Sequence, residues 1–173
     1  MDDVGLTVLE TDWGWMGLAS SPRGLVEVRF PQPSEEAAWR ELRETWPEAD
    51  LLPDEALTGL KDKLRRFFAG EPICFADDFQ LDCPPGRPFH RKVWEVVASI
   101  PYGETRTYGQ VAAEAGRPRA ARAVGAAMAT NPWPVVVPCH RVVGSGGSLT
   151  GFGGGLGLKS RLLEMERRAK AGE

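Results

Sequence analysis

The chain reads as α+β in two domains, a strand-rich N-terminal domain over residues 1–84 and a mainly helical C-terminal domain over residues 85–173. Three observations predict this. Short apolar stretches separated by turn residues fill the first half, whereas apolar spacing in the second half is helical. Three prolines and a glycine in "DCPPGRP", residues 82–88, favour a linker over an element. Charge divides at the same place: residues 1–84 hold 8 Lys+Arg against 18 Asp+Glu, and residues 85–173 hold 13 against 6. The halves therefore carry −10 and +7, and a basic half of this kind suggests contact with a polyanion.

Bulk composition narrows the class further. No run of about 20 apolar residues is present to span a bilayer. The acidic start "MDDVGLTVLETDW" lacks the pattern of a signal peptide. Three cysteines, none in a C-x-x-C pair, argue against a disulfide framework and for a reducing cytoplasm. Two histidines and scattered cysteines do not give a zinc spacing, so no metal and no cofactor is expected.

Taken in order, "GLTVLE", "WGWMGLAS" and "GLVEVRF" read as three strands. "SEEAAWRELRETW" reads as a helix capped by Ser34, and "DEALTGLKDKLRRFFAG" as a second, capped by Asp54 after Pro53 and closed by Gly70. "ICFADDFQL" fits a fourth strand, and Cys74 and Cys83 are expected as buried or edge thiols. This half holds no catalytic constellation. Beyond the linker, Pro88 and Pro101 bracket a helix whose Phe89, Val93, Val96, Val97 and Ile100 follow a buried-face spacing. Thr107 and Gln110 form a T-x-x-Q capping box, which starts a helix at Tyr108. Gly116 stops it, and Pro118 suits the first position of another helix over about residues 118–129. The pair is a helix-turn-helix candidate. In its second helix Ala120, Ala121, Val124, Ala127 and Met128 gather on the core side. The other side carries Arg119, Arg122, Ala123, Ala126 and Ala129. Such a smooth, basic surface suits close approach to nucleic acid, and equally suits helix packing on both sides.

The stretch "PVVVPCHRVVG", residues 134–144, sets Cys139 beside His140. A thiol reacts as its thiolate, with an ordinary pKa of about 8.5, so reaction near neutrality needs a base or a positive neighbour. Pro138 interrupts backbone pairing, so a turn or helix start is expected there, where the two side chains converge or share a water. A histidine base has its second nitrogen held by an acceptor. In "GLKSRLLEMERRAK" the apolar stripe is Leu158, Leu162, Leu163, Met165 and Ala169; Glu166 falls on it, while Glu164 points away. A buried carboxylate needs a partner: His140, giving a Cys–His–Glu relay, or an arginine at the stripe's edge. "GSGGSLTGFGGGLG", residues 144–157, is neither G-x-G-x-x-G nor a P-loop and reads as a hairpin followed by a tight turn. Its glycines let backbone groups face a flat ligand.

With Asn131 before Pro132 and Gly154 before Gly155, these motifs resemble the O6-alkylguanine-DNA alkyltransferases, the methylated-DNA–protein-cysteine methyltransferases, over residues 89–166. The first half resembles that family's N-terminal domain only in size and strand-rich start. The resemblance implies a ribonuclease H-like N-terminal domain and a winged-helix-like helix-turn-helix in the C-terminal one. It implies DNA repair by single-turnover transfer of an alkyl group from O6-alkylguanine to Cys139, and leaves O4-alkylthymine open as a second substrate. His140, held by Glu166, would be the water-mediated base; Asn131 would brace the turn, and Tyr108 would donate a proton to the departing guanine. Arg122 would fill the gap left by a flipped nucleotide, with Arg119, Ala123 and Ala126 on the same minor-groove surface. Backbone groups at Cys139, Val142 and Gly153 would read guanine edges. The implied partner is double-stranded DNA, met by a cytoplasmic monomer.

The chain departs from many relatives at Phe152 and Gly153, where tyrosine and serine are common, so a hydroxyl contact is lost and room for bulkier adducts is gained. The zinc site of some relatives is not expected, because residues 1–84 contain no histidine. A related group of lesion binders has tryptophan at the cysteine position. Readings from other classes are a cysteine hydrolase using Cys139, His140 and Glu166, and a non-catalytic lesion-binding or DNA-binding module with a structural cysteine.

Overall fold

The computed structural model describes residues 3–75 and 79–173. They form two compact units, Met1–Cys83 and Pro84–Glu173.

In the first unit the chain runs β1 (Gly5–Thr11), β2 (Gly14–Ser21), β3 (Gly24–Val28), α1 (Glu35–Thr45), β4 (Asp50–Leu51) and α2 (Thr58–Phe68). The sheet order is β3-β2-β1-β4, with β4 parallel to β1 and the other pairs antiparallel. Leu6, Ala19 and Leu42 are fully buried where α1 meets the sheet. Gly17 permits that seating, because a Cβ there would lie 2.7 Å from Leu42 Cγ. Ser34 caps α1, its side chain accepting from the Ala37 N–H, as its sequence position predicts.

Three expectations for this unit need correction. Asp54 does not cap α2: residues 54–57 form turns, Leu57 precedes the helix with φ 58°, and the Asp54 carbonyl accepts from Lys61 Nζ. The helix starts where its apolar face begins to repeat, at Leu60 and Leu64, rather than at the proline–acid signal. The fourth strand is Asp50–Leu51 rather than residues 73–81. Residues 76–78 lie outside the described residues; on either side there is no strand, only a single bridge from Leu81 to Leu25. Cys74 is exposed and Cys83 half-buried, so Cys74 is no core thiol.

The second unit runs α3 (Pro88–Ala98), β5 (Arg106–Thr107), α4 (Tyr108–Glu114), α5 (Ala121–Ala129), a 3₁₀ turn (Cys139–Arg141), β6 (Val142–Val143), a second 3₁₀ turn (Ser145–Gly147) and α6 (Leu156–Ala171). β5 and β6 pair in parallel. α3 buries Val93 and Val97 as predicted, and also Trp94, whose indole N–H donates to the Ala127 carbonyl of α5 at 2.9 Å; Ile100 is buried just past the helix end, and Phe89 and Val96 are half-buried. The Trp94 ring meets Trp133 edge-on at 5.3 Å. Both halves of the capping box form at α4: Thr107 Oγ1 accepts from Gln110 N, and Gln110 Oε1 accepts from Thr107 N. Gly116, at φ 85°, ends the turn that follows α4 in a conformation that suits glycine.

α5 begins at Ala121, not at Pro118; Pro118 and Arg119 belong to the connecting turn, and Ala120 is the cap. A proline that fits a first helical position fits the turn before it as well, since both hold φ near −65°. The glycine-rich stretch makes no hairpin. β6 is taken by β5, and the Gly144 N–H closes a tight turn on the Ser148 carbonyl at 2.7 Å.

Candidate active site

Cys139 heads the 3₁₀ turn, and the loop before it is fixed by one side chain. Asn131 Oδ1 accepts from Trp133 N at 3.0 Å, and its Nδ2 donates to the Val137 carbonyl at 2.9 Å. Within this brace Val135 sits at φ 74°, a left-handed conformation uncommon for a β-branched residue. The loop thus presents Cys139 as a turn rather than continuing the valine run as a strand.

The Cys139 side chain is 6% exposed and lies at the wall of a cavity of about 600 Å³. Tyr108, Arg122, Met128, Thr150, Phe152 and Gly153 line the same space, so α4, α5 and the glycine-rich loop all face the sulfur. Burial pushes the thiol up to about 11; a hydrogen bond with the Asn131 side chain, the Lys159 charge and backbone hydrogen bonds at Cys139 and His140 pull the other way.

Next in the same turn, His140 is fully buried, its Nε2 2.7 Å from Glu166 Oε1. Burial lowers the imidazole below its ordinary value and keeps it neutral; Glu166 opposes this, and the Arg141 and Lys159 charges add to it. Burial also pushes the Glu166 carboxyl up, but the hydrogen bond from His140 and the fork and charge of Arg141 outweigh that and hold it at about 2. Arg141 donates from Nε to both Glu166 oxygens and from Nη2 to Oε1 at 2.8 Å. Glu166 therefore pairs with His140 and with an arginine, but that arginine is Arg141 of the 3₁₀ turn and not one at the edge of the α6 stripe.

Sequence reasoning missed Lys159. It is fully buried on α6, and its ammonium donates to the Val142 carbonyl at 2.6 Å and the Thr150 carbonyl at 3.1 Å. It also lies about 6 Å from the ring centres of Tyr108 (6.0 Å) and Phe152 (5.9 Å). A signal was present: Lys159, Leu162 and Glu166 stand at i, i+3 and i+7, one face of the helix. Reading Lys as a solvent residue concealed it.

The remaining candidates separate. Tyr108 lines the cavity, with its hydroxyl donating to the Thr150 carbonyl and accepting from Thr150 Oγ1, both at 3.2 Å. Arg122 is exposed and lines the cavity. Arg119 and Ala126 are exposed, and Ala123 is half-buried, all outside the lining. Gly153 lines it; Val142 is buried behind it, its N–H bonded to the Cys139 carbonyl and its own carbonyl to Lys159. Among the described residues no group of three or more His, Cys, Asp or Glu side chains converges to hold a metal ion.

A thiol at the wall of a cavity lined by two turn-linked helices, next in sequence to a buried His–Glu pair, defines a helix-turn-helix protein with a cysteine at its cavity. Comparison with known proteins makes that particular. Residues 88–168 match the model of the 6-O-methylguanine DNA methyltransferase DNA-binding domain. A methylated-DNA–protein-cysteine methyltransferase of Mycolicibacterium paratuberculosis is 52% identical over 65% of this chain and 67% of its own length. One from Methanosarcina acetivorans is 40% identical over 92% of this chain and 96% of its own. The crystal structure of Mycobacterium tuberculosis OGT in complex with DNA superposes with a TM-score of 0.78 at 38% identity, covering 95% of this chain and 94% of that one. The chain belongs to the methylated-DNA–protein-cysteine methyltransferase family.

Proposed function

We infer that this chain repairs DNA by moving an alkyl group from O6 of guanine onto Cys139. The observation that carries this is the position of one sulfur: at the wall of an open cavity that Arg122 also lines, in the residue next to His140 of the buried His140–Glu166 pair. In the proposed step the Cys139 proton passes through a bridging water to His140 Nδ1. The thiolate attacks the alkyl carbon in line, the S–C bond forms, the C–O6 bond breaks, and the electron pair enters the guanine ring. Tyr108 supplies the proton that leaves guanine neutral. Lys159 stabilises the thiolate, and Asn131 holds the loop that aims it. A thioether is a poor leaving group, so each molecule acts once.

Access requires the guanine to leave the stack, at a few kcal/mol. Arg122 is proposed to fill the gap, with Arg119, Ala123 and Ala126 flanking it against the minor groove. Backbone groups at Cys139 and Gly153, and the second lone pair of the Val142 carbonyl, are proposed to read the base edges. The same reading takes residues 1–84 and 85–173 as domains, with α4, α5 and the β5–β6 pair forming a winged-helix-like unit. Three antiparallel strands followed by a parallel fourth support the ribonuclease H-like arrangement for the first domain. No described helix is long and apolar enough to cross a membrane, and the protein is proposed to act as a cytoplasmic monomer with access to the chromosome.

The test is the intact mass after incubation with a duplex containing O6-methylguanine. A gain of one methyl on Cys139, absent in Cys139→Ser, is the expected result. DNA binding without a mass change would leave a lesion-binding module, and repeated ester turnover would mark a hydrolase.

A further inference from the structure

We propose that Arg141 is a positioning residue for the transfer step: by forking onto Glu166 it fixes a proton on His140 Nε2 and leaves Nδ1 as the base toward Cys139. This rests on the alkyl-transfer reading above.

The argument begins with the acceptor count at Glu166. Oε1 takes His140 Nε2 at 2.7 Å, Arg141 Nη2 at 2.8 Å and Arg141 Nε at 3.1 Å. Oε2 takes Arg141 Nε at 3.0 Å and the Gly103 N–H at 3.1 Å. A carboxylate offers about four lone-pair sites, and these contacts fill them. The Arg141 guanidinium and the Gly103 backbone N–H are obligate donors that cannot accept from a protonated carboxyl, and the fixed Arg141 charge against both oxygens keeps Glu166 ionised. Glu166 is therefore an anion without a proton of its own, and the hydrogen in the 2.7 Å contact belongs to His140 Nε2. The neutral imidazole then carries its lone pair on Nδ1.

Arg141 also sets how tightly that lone pair holds a proton. A lone buried carboxylate beside His140 would stabilise the imidazolium strongly. Arg141, on the same oxygen as the histidine, neutralises much of that pull. His140 can accept the thiol proton and release it again. The charged groups acting on His140 are Glu166 and Lys159 from α6 and Arg141 from its own turn. Tyr102, in the loop after α3, faces the same Glu166 and Arg141, its ring 5.5 Å from the guanidinium. None of them replaces Arg141 as a fork on the carboxylate. Arg141 Nη1 also donates to the Ile100 carbonyl at 2.7 Å, so a purely structural anchor is the competing role.

The two roles differ in the pH profile. The single-turnover rate of methyl transfer from an O6-methylguanine duplex is to be measured between about pH 5 and 9, where imidazoles titrate. Wild type, Arg141→Lys and Arg141→Met are compared. Losing the charge raises the proton affinity of the His140–Glu166 pair. The acid limb of Arg141→Met then moves up by about one unit, a tenfold loss at the acid end that recovers at the alkaline end. Arg141→Lys, which keeps the charge without the fork, falls between. Equal slowing at every pH would overturn the proposal and leave only the anchor. ¹⁵N-histidine spectra of the wild-type chain provide a second reading that needs no variant to fold. A bare His140 Nδ1 is expected, and a proton found there would overturn the assignment. Intact mass separates this from the underlying reading. Failure of wild type to gain a methyl sinks the transfer itself, whereas an unmoved acid limb with methyl gained sinks only the role of Arg141.

Discussion

At Cys139, packing and reactivity pull in opposite directions. The sulfur is held by a brace that demands burial, and burial disfavours the thiolate. The Lys159 charge acts against that, and it is delivered by α6 on the face that also carries Glu166. Replacing Lys159 by Met keeps the apolar stem and removes the charge. The alkylation rate of Cys139 by iodoacetamide, followed against pH, should then shift alkaline by about one unit, or roughly tenfold slower at fixed pH. An unchanged profile would show that Lys159 only ties the two carbonyls together. At this scale the sequence was legible where chemistry is local or periodic. The Cys139–His140 pair is read directly, and Glu166 is found because it breaks an apolar stripe. Arg141 and Lys159 were not legible, because a long cation is read as solvated unless something shows that its partner is buried too.

Among the elements, the α4–α5 pair supplies two walls of the cavity. Its first helix is pinned by the Thr107–Gln110 box, which places Tyr108 at the cavity wall in the first turn. Its second helix puts Arg122 in its first turn, at the same cavity. Arg122→Ala removes no buried contact, so folding should be unaffected. Transfer from O6-methylguanine in duplex DNA should slow at least tenfold, while reaction with the free methylated base should change by less than about twofold. Equal slowing of both would contradict the proposed insertion of Arg122. The capping box was readable because both members are short-range and mutually confirming. The starts of α2 and α5 were misread because Asp54 and Pro118 are each compatible with a turn just before the helix, and only packing chooses. β4, two residues long, offers no alternation to detect.

For the molecule as a whole, buried ionisable groups set the response to acid. His140 has a folded value below 6.5, so folding disfavours its protonation. Its contribution to stability is present above 6.5 and is lost as pH falls below that value. Glu166 is lowered from 4.5 to about 2, so its contribution is present above 4.5 and is lost as pH falls toward 2. Thermal melts should therefore show the melting temperature of the second unit falling below about pH 6.5, and falling again below about pH 4.5. His140→Asn should flatten the first of these declines; a first decline of unchanged size would place its origin elsewhere. The opposed charges of the two halves were plain in the sequence, because they are a property of composition. The hairpin expected in the glycine-rich stretch was not found; β6 pairs instead with β5, which is distant in sequence.

The raised pKa of the cysteine bears on the life of the molecule between encounters. With burial pushing the thiol up to about 11, the thiol form dominates over the anion at neutral pH. Peroxides and stray electrophiles attack that anion, so a reagent good for a single use is not squandered on them while it searches the genome.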